Sequence, residues 1–122
     1  MSEQLHFTTR VLGPLAVYRL GEHQVTQTIR GHSSNIIQAA LSGKLKVGDR
    51  MQVTLDDKVI GLAEYVIMDA VTWEALGIRD ARRGGFDTLD DLSEALRRAG
   101  YRFKPLNDYQ IYRIQFSWQK ED

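Results

Sequence analysis

The feature that most limits what this chain can fold into is a pair of alternating runs separated by a two-residue turn. From Arg50 to Leu55, Met51, Val53 and Leu55 alternate with polar neighbours, and Val59 to Met68 forms a second, longer β-type run. A period of two sends successive side chains to opposite faces of a strand. With Asp56-Asp57 as the turn, the two runs predict an antiparallel hairpin. Gly61, inside the second run, predicts a bulge or a close backbone approach there. A lone hairpin is marginal in water and needs further strands or a helix to cover it.

The rest of the chain supplies them. Leu5 to Val11 reads as a strand, and Gln24 to Arg30 as another, with Thr26, Thr28 and Arg30 on one face and Val25, Gln27 and Ile29 on the other. Tyr109 to Trp118 is the last strand; Tyr112, Ile114, Phe116 and Trp118 line one face, and Tyr109, Ile111, Arg113 and Gln115 the other. Short helices fall in the connections. Ile36, Ile37, Ala40 and Leu41 share one side of a helix over Asn35 to Ser42, after Ser33 or Ser34 as N-cap. Thr72 to Leu76 and Ile78 to Arg83 each read as about one helical turn, the second ended by Gly84-Gly85. Thr88 to Ala99 is the clearest helix, with an apolar stripe of Leu89, Leu92, Leu96 and Ala99 and capping-box spacing between Thr88 and Asp91. Leu15 to Leu20, after the Gly13-Pro14 turn signal, fits a strand or a short helix. Many short strands with helices only in the connections predict an α+β, mostly β chain, a small closed or partly open β-barrel.

Composition excludes several classes. At 122 residues the chain fits one domain with one modest core. There is no cysteine, which removes disulfides, thiolate metal sites and a cysteine nucleophile. His6, His23 and His32 are scattered without metal-ligand spacing, so no metal and no cofactor are expected. No apolar run approaches the ~18 residues of a membrane helix, and the first residues lack the apolar core of a secretory signal; a cytoplasmic location is expected. Sixteen Lys and Arg balance sixteen Asp and Glu. A nucleic-acid site here must therefore be a local cluster on a neutral protein.

Three segments carry a resemblance. Thr26-Gln27-Thr28-Ile29-Arg30 reads T-x-T-I-R, Lys46-Val47-Gly48-Asp49 leads into the hairpin, and Asp80 to Leu92 reads D-A-R-R-G-G-F-D-T-L-D-D-L. With the closing Tyr112-Arg113-Ile114-Gln115-Phe116, they resemble the ASCH family over residues 24 to 118. The resemblance implies a PUA-like β-barrel with short connecting helices and a cleft beside it, and binding of RNA. Some bacterial members are amidohydrolases of N4-acetylcytidine that use a lysine, a threonine and a glutamate. On the T-x-T-I-R strand the threonine falls at Thr28, while Val25 and Gly84 stand at the lysine and glutamate positions. Neither has an ionisable side chain. The usual G-x-K-T entry to that strand is replaced by Gly21-Glu22-His23-Gln24-Val25.

Candidate site residues follow from chemistry and resemblance together. Thr28 and Arg30 share a strand face, and the planar guanidinium of Arg30 suits a phosphate or a base edge; the bland alternative pairs Arg30 with Asp49. Arg79, Arg82 and Arg83 form the densest basic cluster, on one side if the segment is helical, the alternative being a solvated face with Asp80 and Glu74. His32 and Ser33, after Gly31, and Lys46, before the hairpin, are further polar contacts for a ligand. Trp73 and Tyr109 are the aromatics placed to stack a base, whereas Phe86 and Trp118 belong to the core. The leading expectation is an RNA- or nucleotide-binding module with an Arg-lined cleft. A ligand-free protein-interaction module follows, using Leu15, Val17 and Tyr18 against a partner or a second copy. A nucleoside amidohydrolase centred on Thr28 comes last.

Overall fold

The computed structural model describes residues 3–101 and 111–120. One five-stranded sheet organises them. Its strands are β1 (Glu3–Phe7), β2 (Gln27–Gly31), β3 (Arg50–Leu55), β4 (Lys58–Val71) and β5 (Ile111–Trp118). Their spatial order is β1-β3-β4-β5-β2. β1 runs parallel to β3, and the other pairs are antiparallel. The sheet curls into a half-barrel with β1 and β2 as its two edges, an α+β arrangement.

The expected hairpin is β3 and β4. Asp56 and Asp57 both have positive φ, 49° and 69°, the mirror-image turn that matches strand twist. Val53 opposes Gly61 and Thr54 opposes Val59, so Ile60 is the extra residue of a bulge beside the glycine. Gly61 also marks the expected close approach. A Cβ there would lie 2.9 Å from Cζ3 of Trp118, and the indole ring stacks on His23 at 3.9 Å. Inside the half-barrel, Leu5, Met51, Val53, Ala63 and Ile114 are fully buried.

The N-terminal strand is shorter than the sequence suggests. It stops at Phe7, and Thr9–Leu12 forms a helical turn, α1. The cause is remote in sequence: the Asp56 carboxylate accepts hydrogen bonds from the backbone N–H and the hydroxyl of Thr9, capping the turn. The segment that fitted either state is a helix, α2 (Pro14–Gly21), with Pro14 in its first turn, where the missing N–H costs nothing. Ala16 and Leu20 are buried under it, Val17 packs on the core, and Leu15 and Tyr18 are exposed.

The remaining helices fall where expected: α3 (Asn35–Leu41), a 3₁₀ turn at Trp73–Ala75, α4 (Ile78–Arg83) and α5 (Leu89–Arg98). Thr88 caps α5 by accepting from Asp91 N–H at 3.1 Å. Leu92, Ala95 and Leu96 are buried beneath it. Gly85, with φ of 94°, turns the chain between α4 and α5 against Val25 and α2, where a Cβ would lie 2.9 Å from Val25 and 3.5 Å from Ala16. Tyr109 lies outside the described residues.

Candidate functional site

A cavity of about 340 Å³ opens between the two edges of the half-barrel, within the size range of small-molecule sites. β1 and α1 form one wall, β2 a second, and α4 and α5 the third. His6, Arg10, Gln27, Thr28, Arg30, Asp80 and Tyr101 supply its polar groups; Phe7, Phe86, Leu92 and Leu96 are among its apolar ones.

Arg30 is the central cation. Residues directly opposed on neighbouring strands share a sheet face; Thr28 faces Ile114 and Arg30 faces Tyr112, so both side chains lie on the inner side of the half-barrel. Arg30 Nε donates to Thr28 Oγ1 at 3.1 Å, and Nη2 donates to the carbonyl of His6 at 2.6 Å. That second bond ties one sheet edge to the other. The guanidinium lies 4.9 Å from the centre of the Phe7 ring, a cation–π contact. Among the described residues no carboxylate pairs with it. Asp49, the alternative partner, accepts from the Lys46 backbone N–H at 2.8 Å instead. Desolvation lowers the Arg30 pKa to about 10.

On the opposite face of β2 lies a buried polar group. Asp80, 4% exposed, accepts from Gln27 Nε2 at 2.8 Å, from Gly77 N–H at 2.9 Å and from Arg113 Nη1 at 3.2 Å. Arg113 also bonds Asp69 at 2.8 Å. Burial opposes ionisation of Asp80, but the hydrogen bonds from Gly77, Gln27 and Arg113 outweigh it and hold the carboxyl below its usual pKa. Gln27 is 1% exposed, and its Oε1 has no partner; Arg113 Nε is likewise buried without one.

Of the residues singled out from sequence, the cavity gathers Thr28 and Arg30. Arg79, Arg82 and Arg83 are exposed on α4, outside the lining, although Asp80 and Gly84 of the same segment line it. His32 and Ser33 are exposed on the turn after β2, where His32 Nδ1 lies 3.1 Å from the Tyr112 hydroxyl. Lys46 is exposed beside the hairpin. At the amidohydrolase positions, Val25 is buried in the core and Gly84 lines the cavity. The carboxylate lining the cavity is Asp80, already held by three donors. Trp73 packs against the core, and Phe86 is buried, as expected for the latter.

Sequence reasoning missed Gln27, Asp80 and Arg113 as a set. The signal was present: Gln27 alternates with Val25 and Ile29 on an otherwise apolar face, and a buried amide needs a partner. Among the described residues, no group of three or more His, Asp or Glu side chains is placed to hold a metal, and no helix is long and apolar enough to cross a membrane.

No protein-family model matches the sequence, and no curated protein is significantly similar to it. The fold is matched. The crystal structure of an ASCH domain from Lactobacillus crispatus aligns with a TM-score of 0.61, covering 85% of this chain and 69% of that one at 18% identity. The chain has an ASCH-like fold. A crystal structure from Enterococcus faecalis, of a protein in the DUF984 family, aligns with a TM-score of 0.64, covering 97% of this chain and 80% of that one at 12% identity. At these identities the likeness is one of fold, and the cavity described above belongs to this ASCH-like chain's own side chains.

Proposed function

We propose that this domain binds RNA by holding one nucleotide in the cavity between β1 and β2, with Arg30 as its principal contact. The observation that carries the reading is the placement of Arg30: a half-buried guanidinium lining a cavity, held by Thr28 and the His6 carbonyl, with no carboxylate pair among the described residues. Its remaining N–H donors suit a phosphate or an electron-rich base edge. Thr28 orients the guanidinium. The apolar floor of Phe7, Phe86 and Leu96 suits the face of a base. Arg79, Arg82 and Arg83 on α4 serve as outer phosphate contacts, with His32 and Ser33 on the turn after β2 and Lys46 before β3 as further polar contacts. The likeness in fold to an ASCH domain supports a nucleic-acid role, and a cytoplasmic setting fits it.

Titration with short single-stranded RNA at two salt concentrations tests this. Arg30→Ala is expected to weaken binding by at least about tenfold, as loss of a charge-assisted contact does. Arg82→Ala should weaken it less and reduce the salt slope by about one, because one fewer counterion is released. Unchanged affinity in both variants would refute the placement of the site.

A further inference from the structure

Three side chains of the cavity lining belong to Asp, Glu, Lys or Arg: Arg10, Arg30 and Asp80. Asp80 is 4% exposed and ion-paired with Arg113 at 3.2 Å, so its charge is met inside the fold. Asp69, the other carboxylate on Arg113, lies outside the lining and is 44% exposed, where water and salt screen it. The two arginines are not balanced in this way. Neither has a carboxylate partner among the described residues. Arg30 is half-buried and Arg10 is exposed, so a ligand can reach both.

Backbone carbonyls place them instead. Arg30 Nη2 reaches from β2 to the His6 carbonyl on β1. Arg10 Nη1 donates to the Arg98 carbonyl at 3.1 Å, which carries the side chain from α1 across to the end of α5, beside the lining residue Ala99. Arg98 Nε returns the contact, donating to the Val11 carbonyl at 2.9 Å. A guanidinium has five N–H donors and stays protonated at neutral pH. In these bonds Arg30 uses two, on Thr28 and His6, and Arg10 uses one. The cavity therefore holds two fixed cations with donors to spare.

That balance of charge separates the two kinds of phosphate an RNA offers. An internal phosphodiester carries one negative charge. A terminal phosphomonoester carries about −1.5 to −2 at neutral pH and three strong acceptor oxygens. A diester leaves one arginine unmatched, whereas a monoester matches both. We propose that the cavity selects a terminal phosphomonoester over an internal phosphodiester, with Arg10 and Arg30 together taking its two charges. The proposal rests on the nucleotide-binding reading and names its ligand: the phosphorylated end of an RNA or a free nucleoside monophosphate. The apolar floor takes the base, and the arginines take the phosphate.

The competing role for Arg10 is a clasp that closes the end of α5, as basic side chains at helix C-termini do. Arg98 makes the other half of that clasp but does not line the cavity. The two roles can therefore be separated by substitution.

The experiment is calorimetric titration of the full chain with adenosine and uridine 5′-monophosphates, each against its O-methyl ester, which keeps the nucleoside and phosphate but only one charge. At about pH 7.5 at least one monophosphate should bind about tenfold or more tightly than its ester, as a second charge-assisted contact requires. At about pH 5 the monoester has lost its second charge, and the pair should converge to within about twofold. Histidine titrates in the same window, and His6 lines the cavity; the ester has no ionisation there, so its own change in affinity measures that contribution. Arg10→Met should abolish the preference at about pH 7.5, Arg10→Lys should keep most of it, and Arg98→Met should leave it intact. If a variant fails to fold, the wild-type pairs still decide. Short RNAs bearing a 5′-phosphate, a 3′-phosphate or hydroxyls at both ends identify the source. Tighter binding of one phosphorylated form assigns the site to that RNA end; tighter binding of the free monophosphate than of every RNA assigns it to the free nucleotide. Equal affinity within both monophosphate and ester pairs overturns the proposal and leaves the cavity reading standing. No binding of any of these compounds overturns the cavity reading and the proposal with it.

Discussion

Replacing Asp80 by alanine removes the acceptor on which the site's rear wall depends. The carboxylate takes three hydrogen bonds, from Gln27, Gly77 and Arg113, and its side chain is 5% exposed. The three donors fare differently once it is gone. Gly77 is half-buried and rehydrates in part; Arg113 keeps Asp69. Gln27 is fully buried and would then have neither end of its amide satisfied. Hydrogen bonds to a charged group contribute about 1.5–3 kcal/mol each, but they are not additive. Breaking a buried charged pair by deleting one member costs about 3–5 kcal/mol, and that is the loss expected here. A domain of this size has about 5–15 kcal/mol in total, so the variant should remain folded but lose roughly 12–20 °C in Tm. Asp80→Asn, which keeps shape and some acceptor capacity, should lose about 1–3 kcal/mol. Asp69→Asn, whose acceptor is 44% exposed, should lose less than about 1 kcal/mol. Urea denaturation followed by circular dichroism measures all three. A loss below about 1 kcal/mol for Asp80→Ala would refute the claim that this cluster holds β2, α4 and β5 together.

Three other outcomes follow from the same contacts. Gly61→Ala places a Cβ 2.9 Å from the Trp118 ring and 3.1 Å from His23; it should cost about 1–3 kcal/mol and change the tryptophan fluorescence of the native state. Thr88→Ala removes the N-cap of α5 and should cost about 1 kcal/mol in the same denaturation assay. The Asp80 carboxyl has a lower pKa folded than unfolded, so the native state binds fewer protons there. Its stabilisation is present above the unfolded value, about 3.9, and is lost as pH falls through the lower folded one. Acid titration of stability should therefore be steeper in the wild type than in Asp80→Asn.

The parts of the fold legible in the sequence are those set by local periodicity. Met51 and Val53 alternate inward as read, Thr88 caps α5, and Tyr112, Ile114 and Phe116 lie against the core. The parts that were not legible depend on contacts remote in sequence. β1 gives way to α1 because Asp56 of the hairpin turn caps Thr9. Leu15 to Leu20 is helical because Pro14 starts a helix and Gly85 gives Ala16 room to pack. The site divides the same way. Thr28 and Arg30 were visible from alternation on one strand, whereas the Gln27, Asp80 and Arg113 cluster joins β2, α4 and β5, which are 33 to 53 residues apart at its hydrogen bonds. Arg79, Arg82 and Arg83 form a cluster in sequence, but the helix turns them to solvent and presents Asp80 to the cavity.

The central claim is that the cavity around Arg30 takes a nucleotide of RNA. Its most direct test is a ¹H–¹⁵N NMR titration of the wild type and Arg30→Ala with a short single-stranded RNA of mixed sequence. The account predicts shifts concentrated at Gln27 to Arg30 and Asp80 to Phe86 in the wild type, sensitive to salt, and lost in the variant. Shifts absent there, or confined to the exposed face of α2 around Leu15 and Tyr18, would contradict it.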